Sequence, residues 1–334
     1  MKKIKYLLRL FIIYFSYILR KQKVNYLPVR LWVETSSRCN LKCRLCVNKD
    51  MPGNMRGDMD FNLYKKIIDE VKDYVFDINL FHRGEPLIHP QIIEMIGYAN
   101  KNNIKTRIHT NAVLLTPEFS IKLIKSGLNL ISFSFDGYTR STYEKNRIGA
   151  LYENTLKNII DFLKIKKELN SKTPFTNIQV MEFDDEISKK QFNVQKEEFI
   201  KKFENLPLDK LIIRTPHNWG GLLEIADVLK AERKKTRFKA CTFPWYALTI
   251  FYDGKVHLCP QDFYGELPVG DVNKESVGEI FNNKTMQDIR KSFRNKKIDN
   301  LNPCNSCDRC WRETILGIPK EYLGIFLKDS LRKD

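Results

Sequence analysis

From about residue 29 to 218, short runs dense in Ile, Val, Leu and Phe alternate with longer stretches whose apolar positions recur at helical spacing. The short runs predict buried strands and the longer stretches amphipathic helices. Strands are expected at Val29–Ser36, Asp77–Arg83, Lys105–Asn111, Asn129–Asp136, Phe175–Glu182 and Lys210–Pro216. Helices are expected near Asn62–Val75, Pro90–Asn102, Pro117–Ser126, within Ala150–Leu169 and at Lys189–Asn205. Such alternation implies an α/β fold on a parallel sheet with right-handed crossovers. The pattern alone does not separate an open sheet from a barrel. In either, chemistry gathers at the carboxyl ends of the strands.

Outside this region the pattern changes. Within residues 1–28, Ile4, Leu7, Leu8, Phe11, Ile12, Phe15, Ile18 and Leu19 recur at helical spacing, among Lys2, Lys3, Lys5, Arg9, Arg20, Lys21 and Lys23. The run Leu10 to Leu19 is shorter than the ~20 residues a bilayer span needs, and no small-residue cleavage site follows. A basic amphipathic helix of this kind lies on an anionic membrane or packs on its own domain. Residues 219–240, with Trp219-Gly220-Gly221 and the basic stretch Lys230–Lys239, read as a linker. Residues 241–312 hold five of the eight cysteines. Residues 313–334 end in a second amphipathic helix bearing Tyr322, Leu323, Phe326, Leu327 and Leu331.

The formal charge of the 334-residue chain is +17. It favours an anionic partner: an acidic lipid surface, a phosphorylated substrate or nucleic acid. No RNA-binding signature accompanies it, so the nucleic-acid reading has no support in the residues. The cysteines are too few for a disulfide scaffold and sit in short-range groups, which reads as metal binding in a reducing, cytoplasmic compartment. There is no glycine-rich dinucleotide fingerprint, no phosphate loop and no nucleophile elbow.

After the first strand comes Cys39-x3-Cys43-x2-Cys46. Three thiolates do not complete a structural zinc site, which takes four ligands. On a four-iron cluster they leave one iron open. This spacing, entered through Trp32-Val33-Glu34-Thr35 and containing Cys-Asn-Leu-Lys-Cys, resembles the radical S-adenosylmethionine (SAM) enzymes; Leu45 stands where that family often has an aromatic residue. The resemblance implies a partial (β/α)6 barrel. It implies a [4Fe–4S] cluster on Cys39, Cys43 and Cys46 that binds SAM at its open iron. Reductive cleavage, fed by a reductant such as flavodoxin or ferredoxin, then yields a 5′-deoxyadenosyl radical that abstracts a substrate hydrogen.

Other strand ends carry matching motifs. His82-Arg83-Gly84-Glu85-Pro86-Leu87 is similar to the family's Gly-Gly-Glu-Pro, with Arg83 in place of the first glycine. It implies Gly84 and Glu85 at the amino group of SAM. His109-Thr110-Asn111-Ala112 is like Thr-Asn-Gly, with Asn111 at the cavity mouth or capping a turn. Ser132-Phe133-Ser134-Phe135-Asp136-Gly137 resembles Ser-Leu-Asp-Gly, which implies Ser134 and Asp136 near the SAM ribose or the substrate. Tyr143-x3-Arg147-x-Gly149 matches a stretch in relatives with a C-terminal cluster domain; Arg147 is a candidate for the SAM carboxylate or for an ordinary ion pair.

Cys241 precedes an apolar run, the turn Tyr252-Asp253-Gly254-Lys255, and Cys259. Asp-Gly between apolar runs signals a hairpin, which would bring Cys241 and Cys259 together. Cys304, Cys307 and Cys310 follow. By themselves these cysteines read equally as a zinc ribbon or an iron–sulfur site. Beside the first motif they resemble the SPASM and twitch domains of radical SAM enzymes. That implies one auxiliary [4Fe–4S] cluster in a small domain of a β-hairpin plus cysteine loops.

The resulting expectation is a net two-electron oxidation of a sugar or of a lipid-linked or phosphorylated metabolite, with the protein cytoplasmic or peripheral at the inner membrane face through residues 1–23. Peptide modification is the alternative, against which the ~28 residues before the barrel are too few for a folded leader-binding domain. Non-enzymatic readings are an iron–sulfur electron carrier or a zinc-stabilised binding protein.

Overall fold

The computed structural model describes residues 2–182, 189–214, 219–223, 238–311, 314–315 and 318–319. Strands β1 (Arg30–Val33), β2 (Asp77–Asn79), β3 (Lys105–Thr110), β4 (Leu130–Ser134), β5 (Phe175–Met181) and β6 (Lys210–Arg214) pair in sequence order, all parallel. One face of the sheet is apolar. Ile108, Phe133 and Ile178 are fully buried there, and Phe133 meets Phe162 edge-on. The connecting helices are α2 (Phe61–Val71), α3 (Ile92–Lys101), α4 (Pro117–Lys125), α5 (Arg140–Asn146), α6 (Tyr152–Glu168) and α7 (Lys189–Lys201). Their starts are set by local chemistry. Asp60 caps α2 at Asn62 N and Leu63 N, and Thr116 caps α4 at Phe119 N ahead of Pro117.

The opposite, concave face is polar. His109, Ser132, Asn177 and Lys210 stand side by side across β3 to β6 in register. The strands do not close into a full barrel. Strand β7 (Ala247–Ile250) lies parallel to β1, with Leu31 opposite Leu248 and Trp32 opposite Thr249, and so occupies the edge that β6 would need. β8 (Lys255–His257) and β9 (Pro268–Asp271) then turn back antiparallel, making one nine-stranded sheet with β6 and β9 at its edges. Gly254 makes the expected hairpin turn: its φ is +90°, and a Cβ there would meet Asn273 Nδ2 at 2.3 Å.

Helices α8 (Val277–Asn282) and α9 (Lys284–Asn295) follow, α8 opened by a capping box of Ser276 and Glu279. Buried Arg290 of α9 donates to the carbonyls of Pro244, Phe281 and Gln22, tying the C-terminal region to the N-terminal segment. That segment begins with α1 (Lys2–Ile18). A short ribbon, β10 (Thr314–Ile315) and β11 (Ile318–Pro319), ends the described chain.

The alternating pattern gives the six parallel strands within a few residues at each end. β2 stops at Asn79 rather than Arg83, because the chain turns Arg83 inward onto Glu34. Helices α5, α8 and α9 and strand β9 were not anticipated. Each is short or lies between cysteines, where periodicity has few turns to register. Of the C-terminal helix expected within 313–334, residues 314–315 and 318–319 pair as a ribbon instead, and the rest lies outside the described residues, as does most of the basic stretch 230–239.

Candidate active site and two cysteine centres

The loop after β1 carries Cys39, Cys43 and Cys46, each half-buried and with a free thiol. Its backbone is clamped from two sides. Lys42 N and Arg44 N donate to the carbonyls of Ile148 and Asn146 at 3.0 and 2.9 Å. Glu85 N donates to Arg38 O at 2.8 Å. Gly84 is required by this approach: a Cβ there would lie 2.4 Å from the carbonyl oxygens of both Arg38 and Ser36. Asn48, which the sequence did not single out, donates to Ser37 O and to Arg83 O, both at 2.8 Å, and closes the loop on itself.

Polar side chains from other strand ends meet the thiols. Asn111 Nδ2 lies 4.0 Å from Cys39 Sγ and donates to Asn40 Oδ1 at 2.8 Å, while its Oδ1 accepts from Val113 N. Arg147 Nη1 lies 3.7 Å from Cys43 Sγ, and its Nε stands 2.7 Å from Asp136 Oδ2. Glu85 accepts from Thr110 Oγ1 and Asn111 N, each at 2.7 Å, and from Leu87 N at 3.1 Å. Its carboxylate thus builds the Thr110–Asn111 turn. Burial pushes its pKa up to about 7, although those hydrogen bonds pull the other way. Ser134 ends β4 half-buried, opposite Gln179 in register. The structure therefore gathers Gly84, Glu85, Asn111, Asp136 and Arg147 around the loop, with Ser134 at the adjacent strand end.

Burial pushes the Cys39 thiol up to about 12 and Cys46 up to about 11, with the neighbouring thiols adding to both. Cys43 is raised by burial too, though Arg147 opposes it. Metal binding at these positions must release protons.

In the second group Cys259, Cys304, Cys307 and Cys310 are buried and Cys241 is half-buried. Burial raises Cys259, Cys304 and Cys310, and each also feels Cys241 and Cys307. The five thiols thus converge, as the β7–β8 hairpin predicts. Both donor sets are thiols alone, which suits iron–sulfur chemistry. Among the described residues no three His, Cys, Asp or Glu side chains are grouped tightly enough to hold a single metal ion.

Two contacts join the centres. At the first, buried Glu34 receives Arg83 Nε and Nη2 at 2.7 and 2.6 Å and Tyr252 N at 3.2 Å, with His82 Nδ1 at 3.7 Å. Arg83 lies 3.8 Å over the Phe251 ring, and His82 Nε2 bonds Pro260 O at 3.0 Å. Burial raises the Glu34 carboxyl, but the Arg83 and His82 hydrogen bonds outweigh it and hold the group at about 2. Arg83, the departure from the family's glycine, is thus the link between the β2 end and the β7–β8 turn. At the second, Trp219 Nε1 donates to Leu45 O at 3.1 Å, and Ser306 Oγ donates to Gly220 O. Residues 219–221 touch both cysteine loops, a role that their reading as a linker did not reveal.

Comparison with known proteins agrees with this arrangement. A family profile described as Radical SAM superfamily matches residues 33–186, and one described as SPASM, an iron–sulfur cluster-binding domain, matches residues 241–311. The chain is 24% identical over 267 residues to the tungsten-containing aldehyde ferredoxin oxidoreductase cofactor-modifying protein of Pyrococcus furiosus, covering 76% of this chain and 66% of that protein. Its fold is similar to BtrN in complex with AdoMet and 2-DOIA (TM-score 0.58, 18% identity, 85% of this chain and 94% of that one). It is also similar to Streptococcus suis SuiB bound to precursor peptide SuiA (TM-score 0.63, 13% identity, 91% and 75%).

Proposed function

Because the chain belongs to the radical SAM enzymes with a C-terminal SPASM-type iron–sulfur domain, we propose that it oxidises an anionic metabolite, a sugar or a phosphorylated or lipid-linked compound, by two electrons. When bound, SAM and the iron–sulfur clusters supply a hydrogen-abstracting 5′-deoxyadenosyl radical and a sink for the second electron. Cys39, Cys43 and Cys46 hold the first cluster. Four of the five thiols Cys241, Cys259, Cys304, Cys307 and Cys310 supply the ligands of the second. Arg147, steered by Asp136, offers a guanidinium to the SAM carboxylate. The backbone at Gly84, the Asn111 amide and Ser134 supply polar partners to the rest of SAM, and Glu85 holds the Asn111 turn in place.

The observation that carries the anionic substrate is the concave face. His109 is stacked on Phe81 at 4.0 Å. Burial, helped by the charges of Arg214 and Arg107, pushes its pKa down to about 3. Arg107 shares Asp77 with Arg30, so that trio carries a net positive charge. Lys210 stands in the His109 row. A face that carries these cations beside a buried, neutral imidazole favours a negatively charged guest. The charge of residues 1–23 supports work at the inner face of the membrane; no helix among the described residues is long and apolar enough to cross it. The likeness to SuiB with its precursor peptide supports a second reading, modification of a peptide.

The test is anaerobic reconstitution, iron and sulfide counting, and a SAM-cleavage assay under reductant. About eight irons with 5′-deoxyadenosine formed supports two clusters and radical chemistry. About four irons with cleavage would reassign the C-terminal cysteines. Full loading without cleavage, with phosphorylated sugars and peptides both offered, would favour an electron carrier. Faster cleavage with peptides alone would favour the second reading.

A further inference from the structure

Helix α1 has two apolar faces. Tyr6, Leu10, Ile13 and Tyr17 follow one another at helical spacing and pack inward. Tyr6 stacks on Phe76 at 3.9 Å, Tyr17 meets Trp245 edge-on at 5.5 Å, and its hydroxyl donates to Ala240 O at 2.8 Å. Trp245 Nε1 donates back to Lys21 O at 3.0 Å. At ~100° per residue, Leu8, Phe11, Ile12, Phe15 and Leu19 fall on the opposite side. They are exposed: Phe11 at 62%, Leu8 at 58% and Phe15 at 57%. With Leu7 and Ile18 they make seven of the sixteen large apolar side chains that are exposed among the described residues. A contiguous apolar patch of this kind marks an interaction surface.

The charges around the patch select its occupant. Residues 1–33 contain eight Lys or Arg and no Asp or Glu, and Lys21 and Lys23 at the helix end are exposed. A second copy seated face to face would bring the same cations to the contact, which repels. An anionic bilayer meets both properties: acyl chains take the apolar stripe and headgroups take the lysines.

The inner face sets the orientation. Phe76 immediately precedes β2, and Trp245 shortly precedes β7. These strands run parallel to β1, so α1 lies at the amino ends of the strands. The Cys39–Cys46 loop follows the carboxyl end of β1. Tyr17, in contrast, bonds the carbonyl of Ala240, the residue next to Cys241.

We propose that the outer face of α1, through Leu8, Phe11, Ile12, Phe15 and Leu19, docks the enzyme on an anionic lipid bilayer, with the auxiliary cysteines near the lipid side and the Cys39–Cys46 loop turned away from it. This rests on the peripheral-membrane part of the proposed function and not on its oxidation chemistry. It separates lipid binding from the substrate pocket, because a reacting group must reach the far end of the strands.

The experiment is co-sedimentation of the full-length reconstituted enzyme with phosphatidylcholine vesicles, with and without phosphatidylglycerol. Wild-type protein should bind the anionic vesicles roughly tenfold more tightly or better, and lose binding in high salt. Phe11→Glu with Phe15→Glu should weaken binding by roughly tenfold or more while leaving the thermal melt, iron content and SAM cleavage as in wild type, since neither side chain packs inward. Binding that survives the double variant would overturn α1 as the docking surface and leave peripheral binding intact. Absence of binding by the wild type would overturn both. A salt-resistant dimer abolished by the double variant, with no lipid binding, would give the face to a second copy and overturn the proposal.

Discussion

The two cysteine centres are built from the same thiol and are otherwise unlike. Cys39, Cys43 and Cys46 are half-buried, on a loop ringed by Asn111, Arg147, Asp136 and Glu85. Cys259, Cys304, Cys307 and Cys310 are buried, and their electrostatic neighbours are mainly each other. A centre that leaves a coordination position for a charged ligand needs polar partners for that ligand and a way in. A centre that only stores or passes an electron needs its thiolates and the exclusion of water. The surroundings, not the ligand type, separate a catalytic cluster from an auxiliary one.

The sharpest way to break this contrast is to remove one thiol from each side. Cys43→Ala should lose about four irons and abolish SAM cleavage. Cys304→Ala should cost a similar amount of iron yet keep cleavage of SAM to 5′-deoxyadenosine, uncoupled from substrate oxidation. Iron assay and chromatography of the nucleoside read both. Equal loss of SAM cleavage in the two variants would end the division of labour argued here.

The next effect is structural and lies where the centres join. Glu34 and Arg83 are both almost wholly buried. Glu34→Gln leaves the guanidinium uncompensated and should cost about 3–5 kcal/mol in urea unfolding of the metal-free protein. Arg83→Met on that background should recover much of it, because the loss is mostly the penalty of a lone buried charge.

Glu34, the partner of Arg83, and Glu85, which follows Gly84, also answer pH in opposite senses. Glu34, held at about 2, gives stability that is complete above its ordinary value of 4.5 and is lost only as pH falls toward 2. Glu85, raised to about 7 from an ordinary 4.5, keeps its proton in the folded protein after the unfolded chain has released it. Its contribution therefore falls as pH rises from 4.5 to 7, by ~3 kcal/mol in all, and is level above that. Glu85→Gln should remove that fall. The check is the difference in melting temperature between wild type and variant across the window; a constant difference would place Glu85 in a more solvated setting.

Most of the fold was legible because six strands and their crossover helices repeat one pattern, and the thiol-bearing loop follows the first strand as that pattern requires. What stayed hidden depends on contacts between residues far apart in sequence. Arg83 reads as an intrusion beside Gly84, and only the fold shows Glu34, Phe251 and Tyr252 converging on it. Glu85 reads as a ligand to SAM, and only the fold shows that its oxygens also receive Thr110, Asn111 and Leu87. The helical period of residues 4–19 was plain, but a hydrophobic pattern counts apolar positions without saying which face is covered. That strand β7 would join β1 was not legible at all, since no local signal names a partner strand.

The smallest effect probes the other junction. Trp219 adopts a φ of +49°, followed by Gly220 at +68° and Gly221 at +99°. For tryptophan this left-handed backbone is unfavourable and must be held by its contacts. These include the indole N–H to Leu45 O at 3.1 Å and the ring edge against Phe263 at 5.5 Å. Phe263 packs there with Val47, Met51 and Leu223. Trp219→Phe keeps an aromatic ring in that cluster and removes only the hydrogen bond, so it should cost about 1 kcal/mol of stability. Leu45 directly precedes Cys46, so the electron paramagnetic resonance signal of the first cluster should shift while that of the second stays fixed. A change in the second signal alone would assign the tryptophan to the auxiliary side, where only Gly220 and Gly221 meet Pro303 and Ser306. An unchanged pair of signals would make residues 219–221 a tether that touches both loops without positioning either.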